Sequence, residues 1–527
     1  MFNYFKNKQV KKLREEWINP TSWKRDFSSI SSLFELTCSD HEHGIVDGKT
    51  WNDLDMNSIF WKVDTTLTSV GQQYLYRKMR LLEKPKSSLE DDYRAADLLR
   101  EDRNLREELQ LFPKKMKEGD ASSVTRMLFG TFPIIKLSKI AIILWSVLSL
   151  VTIFYALLSG GIFAFLILPV VIANISISRY FENATDKITY VFYYLYNLLS
   201  ASELIANMNL LPDMSACEDL RKHRKSIRKV RKVLKFMSVS KNHESMLINN
   251  AMYLLNFVFL YDLIVYAFSI DLILKEKEVI KSCYFSIGAI DTIISTASYI
   301  QRNSKLCNPE LNYDHILELE DTYHPLVENC VQNSFSTEGP PALITGSNMA
   351  GKTTFIKTIG VNLIFARTLW LCHAVRAQLP VINVFSSIKT EDGLEQGKSF
   401  YFSELERLNT FLELTEKGSN CLLLIDEIYR GTNTVERIAG AASVLQELAT
   451  NSIVFVTTHD IELASYLSSK YEMWHFEETG SKTHPFEFKL HSGVCETRNA
   501  LKLMANMGYP EHITKRATAY ALEMEAD

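Results

Sequence analysis

The chain has 527 residues, 46% of them hydrophobic, enough for two to four domains with substantial cores. Its 58 basic and 62 acidic residues leave a net charge of −4, which excludes a global field attracting nucleic acid, so any basic surface has to be local. Eight cysteines (Cys38, Cys217, Cys283, Cys307, Cys330, Cys372, Cys421, Cys495) are scattered without CxxC pairs or histidine clusters; no zinc, haem or disulfide framework is expected, and a reducing cytosol suits them.

In chain order, the N-terminal MFNYFKNKQVKKLREEW is charged and lacks an apolar core, so no cleavable signal peptide is expected. From Ile140 to Ser178 the sequence runs 39 residues without a charge. Gly160 and Gly161 divide this run into two stretches, each near the lower limit for spanning a hydrocarbon layer of about 30 Å. The pattern predicts a transmembrane helical hairpin. Lys136 and Lys139 precede it and Arg179 follows, which puts both ends on the cytosolic side of a cytoplasmic membrane. A buried helical pair in a soluble core is the alternative.

Residues 221–235, RKHRKSIRKVRKVLK, carry nine basic residues. As one helix they would show Arg221, Arg224, Lys225, Arg228, Lys232 and Lys235 on a broad face opposite Ile227, Val230 and Leu234. That face suits lipid headgroups, nucleic acid phosphates or plain solvent. A second apolar run, Met246 to Leu274, is interrupted by Asp262 and Asp271 and reads as a core helix.

Residues 345–354, TGSNMAGKTT, place Gly346, four residues, Gly351, Lys352 and Thr353 in the spacing of a phosphate loop for ATP. Backbone N–H groups of Gly346, Ser347, Asn348, Met349, Ala350, Gly351 and Thr354 would meet phosphate oxygens. Lys352 would reach the β and γ phosphates, and the Thr353 hydroxyl would ligate Mg²⁺. An apolar run, Ala342 to Thr345, precedes the loop as a buried strand, and a helix follows. Further on, Gly397, Lys398 and Ser399 open a helix whose amides and hydroxyl suit a phosphate. CLLLIDE (421–427) reads as a buried strand ending in Asp426, placed to hold Mg²⁺ through water, and Glu427, placed to polarise the attacking water. The polar turn YRGTNT (429–434) follows. SIVFVTT (452–458) is a third strand, delivering His459 to the same sheet edge.

TGSNMAGKTT, EDGLEQGKSFYFSEL, LLLIDEIYRGTNT and TTHDIELA, in that order, resemble the ATPase domain of the MutS family, a branch of the ABC-type ATPases. YHPLV (323–327), the tail 486–517 and residues 63–83 extend the likeness to a closing strand, dimerising helices and the start of a helical core, or lever, domain. The hairpin points to a membrane-inserted MutS-like branch. The resemblance implies the roles above for Lys352, Thr353, Asp426, Glu427 and His459. It adds that Ser399 would act in trans on the γ-phosphate held by the partner of a homodimer, and that Phe335 is a candidate to stack on adenine, a core role being the alternative. Two departures stand out. Only some 50 residues precede the core resemblance, without the Phe-x-Glu wedge of mismatch readers, so the mismatch-reading N-terminal domain is not expected; and Tyr429 stands where the family usually has Gly.

The expected fold is an α/β ATPase domain with a mostly parallel sheet, joined to an all-α lever domain with a transmembrane hairpin. Its expected divisions are 1–138, 139–178, 179–320 and 321–527. The expected function is that of a membrane-anchored, dimeric, Mg²⁺-dependent ATPase of the DNA mismatch repair class, with ATP as cofactor, lipids as partners and DNA as a possible one. The alternatives are a membrane-bound mechanochemical or scaffolding ATPase without DNA, a transporter, for which two spans are too few, and a soluble repair protein.

Overall fold

The computed structural model describes residues 2–20, 26–38, 44–111, 116, 121–131, 138–208, 214–238, 259–338, 341–347, 349–388, 400–429, 432–478, 486–494, 504 and 508–526. The chain divides into two compact units. One comprises Met1–Cys38, Asp64–Arg77 and Asp91–Arg302; the other comprises Ser39–Val63, Lys78–Glu90 and Asn303–Asp527.

The regular elements described in the first unit are all helices. Helices Lys139–Ser159 and Gly161–Phe181 are long and apolar enough to cross a membrane. Between them Gly160 and Gly161 take φ of 59° and 56°, the left-handed turn for which glycine is suited. Only 17% and 6% of the two apolar stretches is buried within the chain. The polar groups in these stretches turn inward instead: Trp145 Nε1 donates to Asn174 Oδ1 at 2.7 Å, and Ser146 Oγ donates to the Phe259 carbonyl at 2.8 Å. The second helix continues from Ile167 to Asn207 without a break.

The second apolar run is described from Phe259 onward; residues 246–258 lie outside the described residues. Its helix, Tyr261–Lys275, buries Leu263, Tyr266, Ala267, Ile270 and Ile273, a core-facing stripe at helical spacing. Asp271, one of its two interrupting charges, pairs with Lys139.

The basic stretch is not one helix. Ser215–Lys222 and Arg224–Ser238 are separated by His223, whose ψ of 6° ends the first, so Arg221 belongs to the earlier element. Ile227, Val230 and Leu234 are buried. Glu203 neutralises part of the opposite face by pairing with Arg228 at 3.0 Å and Arg231 at 2.6 Å.

Asp291 is fully buried on helix Lys277–Arg302 and accepts the N–H groups of Leu67 and Thr68 and the Thr68 hydroxyl at 2.7–2.8 Å, capping helix Ser69–Arg80. Asp291→Ala leaves these donors buried without an acceptor. It is expected to destabilise the helical unit by about 3 kcal/mol, read as a lowered midpoint for loss of its helical signal in denaturant.

In the second unit the strands are β1 (Glu310–Asn312), β2 (Leu317–Thr322), β3 (Asn333–Thr337), β4 (Ala342–Thr345), β5 (Arg376–Pro380), β6 (Asn383–Ser387), β7 (Cys421–Asp426), β8 (Ile453–Thr458), β9 (Glu472–Glu478) and β10 (Phe486–Ser492). One sheet has the order β10-β9-β4-β8-β7-β6; all its neighbours are parallel except β10 on β9. β4, β7 and β8 are buried along their whole length, as central strands covered on both faces must be. A smaller sheet, β1-β5-β2-β3, is antiparallel except for β1 on β5.

Segments 39–63 and 78–90, which the expected divisions placed with the helical part, cluster with this unit. The reason is a buried polar joint. Asp53, on helix Gly48–Asp53, accepts Ser386 Oγ at 2.7 Å and Ile388 N–H at 2.9 Å, while Arg407 Nη2 donates to Asp47 Oδ2 at 3.0 Å.

Candidate functional site

β4 is followed by Gly346, whose φ of 137° and whose closeness to the Phe476 carbonyl, 2.7 Å from an ideal Cβ, leave room for glycine alone. The chain then turns into helix Lys352–Thr368. Lys352 Nζ donates to the carbonyl oxygens of Gly346 and Ser347 at 2.5 and 2.8 Å, so its ammonium lies inside the loop it follows. Ser347 Oγ is buried with no hydrogen-bond partner among the described residues. Met349, Ala350 and Thr354 take their places in or just after the turn; Asn348 lies outside the described residues.

β7 and β8 bring the acidic pair to the same sheet edge. Thr353 Oγ1 donates to Asp426 Oδ1 and Oδ2 at 3.0 and 3.1 Å, and the Thr457 hydroxyl donates to Asp426 from the neighbouring strand. Glu427 follows in the left-handed region, φ 54°, its N–H held by the Thr457 carbonyl at 3.0 Å. Its Oε2 lies 3.6 Å from His459 Nδ1, and this carboxylate raises the His459 pKa above the ordinary imidazole value. Asp460, held by Arg437 through bonds of 2.9 and 2.8 Å, is 3.9 Å from His459 Nε2. The imidazole therefore stands between two carboxylates.

Tyr429 takes φ of 60°, the left-handed conformation that a glycine adopts without cost. Its ring compensates by burial against Tyr401, at 6.0 Å between centroids, and its N–H donates to Glu404 Oε1 at 2.6 Å. Two left-handed residues in three positions, Glu427 and Tyr429, hold strain beside the carboxylate pair.

A cavity of about 330 Å³ opens beside the loop, lined by Tyr323, Asn333, Met349, Phe476 and Phe488 with Lys352 and Thr353 at its edge. Phe335 is not among its lining residues. It is 2% exposed, packed on Phe355, Phe455 and Trp474 at 5.0–6.0 Å between centroids, so the structure gives it the core role. Tyr323 and Phe488 supply the aromatic surface that the sequence reading sought in Phe335. Thr457, Arg437 and Asp460 were also missed; Thr457 and Asp460 flank His459 in TTHD and were legible there as neighbours, whereas Arg437 is brought in only by folding. Ser399, with Gly397 and Lys398, lies outside the described residues.

Behind the cavity, burial pushes the His324 and His373 pKa values down to about 4 and about 3. Both remain neutral in the folded chain where an unfolded histidine, near 6.5, takes up a proton. The unfolded state thus binds more protons below that value. The stability of this unit is expected to fall as pH drops from about 6.5 towards 4, and His373→Phe should flatten that slope in denaturant titrations at stepped pH.

The family model for MutS domain V matches residues 342–525, the stretch running from β4 through the acidic pair to the C-terminal helix. Over that stretch the chain is similar to the MutS family. The DNA mismatch repair protein MutS of Acholeplasma laidlawii is 29% identical over 252 residues, 46% of this chain and 30% of that protein. Endonuclease MutS2 of Bacillus velezensis is 31% identical over 249 residues, 46% of this chain and 31% of the relative. The probable mismatch repair protein Msh6 of Drosophila melanogaster is 27% identical over 268 residues, 47% of this chain and 22% of its own length. The MutS likeness thus spans about half of this chain and less than a third of each of these relatives.

Proposed function

We propose that this chain is a MutS-type, Mg²⁺-dependent ATPase that works as a homodimer, is anchored in the cytoplasmic membrane by its hairpin and keeps its nucleotide site in the cytosol. The observation carrying the reading is the meeting of Thr353, Asp426 and Thr457 beside Lys352. The donors present suit the expected groups: a hydroxyl and a carboxylate are hard oxygen ligands of the kind Mg²⁺ takes, and the unpartnered Ser347 hydroxyl faces the same loop. Mg²⁺, when bound, neutralises charge on the β and γ phosphates. Lys352 exchanges the two loop carbonyls for phosphate oxygens. Glu427 orients a water and accepts its proton, while His459, whose pKa Glu427 raises, supports the developing negative charge when protonated.

Ser399 completes the site of the partner subunit in this reading. Lys352→Ala and Ser399→Ala proteins, each inactive alone, are therefore expected to regain activity when mixed, because one site of a mixed dimer has both residues. Recovery to about a quarter of wild-type turnover is expected at equal mixing; a mixture as inactive as its parts would remove the trans role.

DNA handling follows the mismatch repair role named for the relatives and is proposed on that ground alone. One observation favours the rival, a membrane-bound mechanochemical ATPase without DNA: Glu203 and Glu276 neutralise Arg228, Arg231 and Lys229 within the basic stretch. Stimulation of ATP turnover by duplex DNA, compared with stimulation by anionic liposomes, separates the two.

A further inference from the structure

Cys307 and Cys372 face each other across an isolated antiparallel bridge in the second unit. Each donates its N–H to the other's carbonyl, at 3.0 and 2.8 Å. A pair that exchanges both bonds has its Cα atoms about 5.5 Å apart, which lies within the 4.4–6.8 Å spanned by disulfides. The two thiols are unequal in setting. Cys307 is partly exposed and Cys372 buried, with its sulfur 3.8 Å from the Asn362 carbonyl. The Cys372 thiol beside it pushes the Cys307 pKa down, and burial pushes that of Cys372 up, so the accessible sulfur is the better nucleophile.

The bridge adjoins the nucleotide cavity. His373, next in the chain, accepts the Tyr323 N–H and the Thr322 hydroxyl on its carbonyl, both at 3.0 Å, and Thr322 and Tyr323 line the cavity. The Tyr323 hydroxyl reaches back to the Lys305 carbonyl at 3.3 Å. A bond between the two sulfurs would fix the frame that carries this wall.

We propose that Cys307 and Cys372 form a reversible dithiol–disulfide pair, a redox modification site oxidised by a peroxide or by a low-molecular-weight disulfide. With hydrogen peroxide, Cys307 sulfur attacks one oxygen, the O–O bond breaks, and hydroxide leaves and is protonated to water. Cys372 sulfur then attacks the resulting sulfenic acid; the S–S bond forms, the S–O bond breaks, and the second hydroxide leaves with the Cys372 proton as water. Two thiols lose two electrons and one peroxide becomes two waters. With a small disulfide, Cys307 forms a mixed disulfide and Cys372 displaces the second thiol. Such intracellular pairs serve as transient sensors rather than as structural staples.

The test uses the full chain in detergent, first reduced, then exposed to hydrogen peroxide or, in a second arm, to oxidised glutathione, blocked with N-ethylmaleimide and mapped by mass spectrometry. A Cys307–Cys372 cross-link in the monomer is expected in most molecules in both arms, reversed by dithiothreitol and absent from Cys307→Ser. The fold of that variant is checked by its far-ultraviolet circular dichroism and melting curve. Recovery of both cysteines as maleimide adducts overturns the proposal. So does Cys307 recovered as a sulfinic acid or glutathione adduct beside a reduced Cys372. Neither readout involves nucleotide, so the result stands apart from the ATPase reading.

Discussion

Glu427→Gln is expected to lower ATP turnover by a hundredfold or more while ATP and Mg²⁺ still bind. The size follows from the role proposed for the side chain. A positioned carboxylate that takes a proton from the attacking water contributes about 10²- to 10⁴-fold, and an amide of the same shape accepts a hydrogen bond but cannot take the proton. Binding should survive because the phosphate groups are met by other residues: the loop amides, Lys352 and the Thr353–Asp426 pair, whose 3.0 Å contact does not involve Glu427. The variant also loses the carboxylate that raises the His459 pKa, so its residual activity should depend on pH differently from that of the wild type. Because Glu427 raises the His459 pKa, the protonated imidazole persists to higher pH in the wild type and is lost at lower pH in the variant. Measured as single-turnover hydrolysis and as equilibrium nucleotide binding, the two quantities should separate. Unchanged turnover would take Glu427 out of the chemistry; lost binding would mean that the left-handed turn at 427 had collapsed.

Asp426→Asn is a useful contrast. It removes the carboxylate charge and one of the two oxygens that accept from Thr353 and Thr457, and is expected to weaken nucleotide binding in Mg²⁺ more than in its absence, since the proposed function gives that carboxylate to the metal's surroundings.

What the sequence made legible followed from periodicity and spacing. β4, β7 and β8 are continuous apolar runs because each is covered on both faces, and each ends in a buried polar residue, Thr345, Asp426 or Thr458, at the sheet edge where the phosphate loop and the acidic pair lie. The hairpin could be read because two adjacent glycines interrupt an uncharged run, and their positive φ shows why glycine stands there. The rest depended on contacts distant in sequence. The four strands of the smaller sheet are short, and residues 338–375, which include β4 and a helix, separate two of them, so neither their number nor their order has a local signature. The break at His223 has no glycine or proline to announce it. Glu203, which neutralises two arginines of the basic stretch, lies on a different helix. Phe335 sits just before the loop strand, where stacking on a base and packing in the core demand the same residue type; only its burial among three aromatic rings separates them. Tyr429 is the converse. The sequence flagged it as foreign to the family turn, and its backbone takes the left-handed conformation that glycine adopts while its ring packs on Tyr401.

The hairpin carries the second large expected effect. Full-length protein is expected to stay with membranes through high salt and alkaline wash and to be released by detergent. Leu148 and Val151, near the middle of helix Lys139–Ser159, are 56% and 58% exposed on a surface where Leu144, Phe154 and Leu158 are exposed as well. So large a contiguous apolar face needs an apolar environment. Arginine at both positions would place two charges at mid-depth, at about 2.5–3.5 kcal/mol each on insertion scales, enough to shift partition by roughly three orders of magnitude or more. Leu148→Arg with Val151→Arg should therefore move protein from the detergent-dependent fraction to the wash or to aggregates, while the second unit, which contains neither residue, still binds nucleotide. Polar substitution on the inward side should act differently: Asn174→Leu removes the acceptor of Trp145 Nε1 and is expected to loosen the hairpin without releasing it. If the wild-type chain is recovered in the wash without detergent, the exposed face serves contact with another protein rather than lipid, and the membrane anchor falls while the phosphate site is untouched.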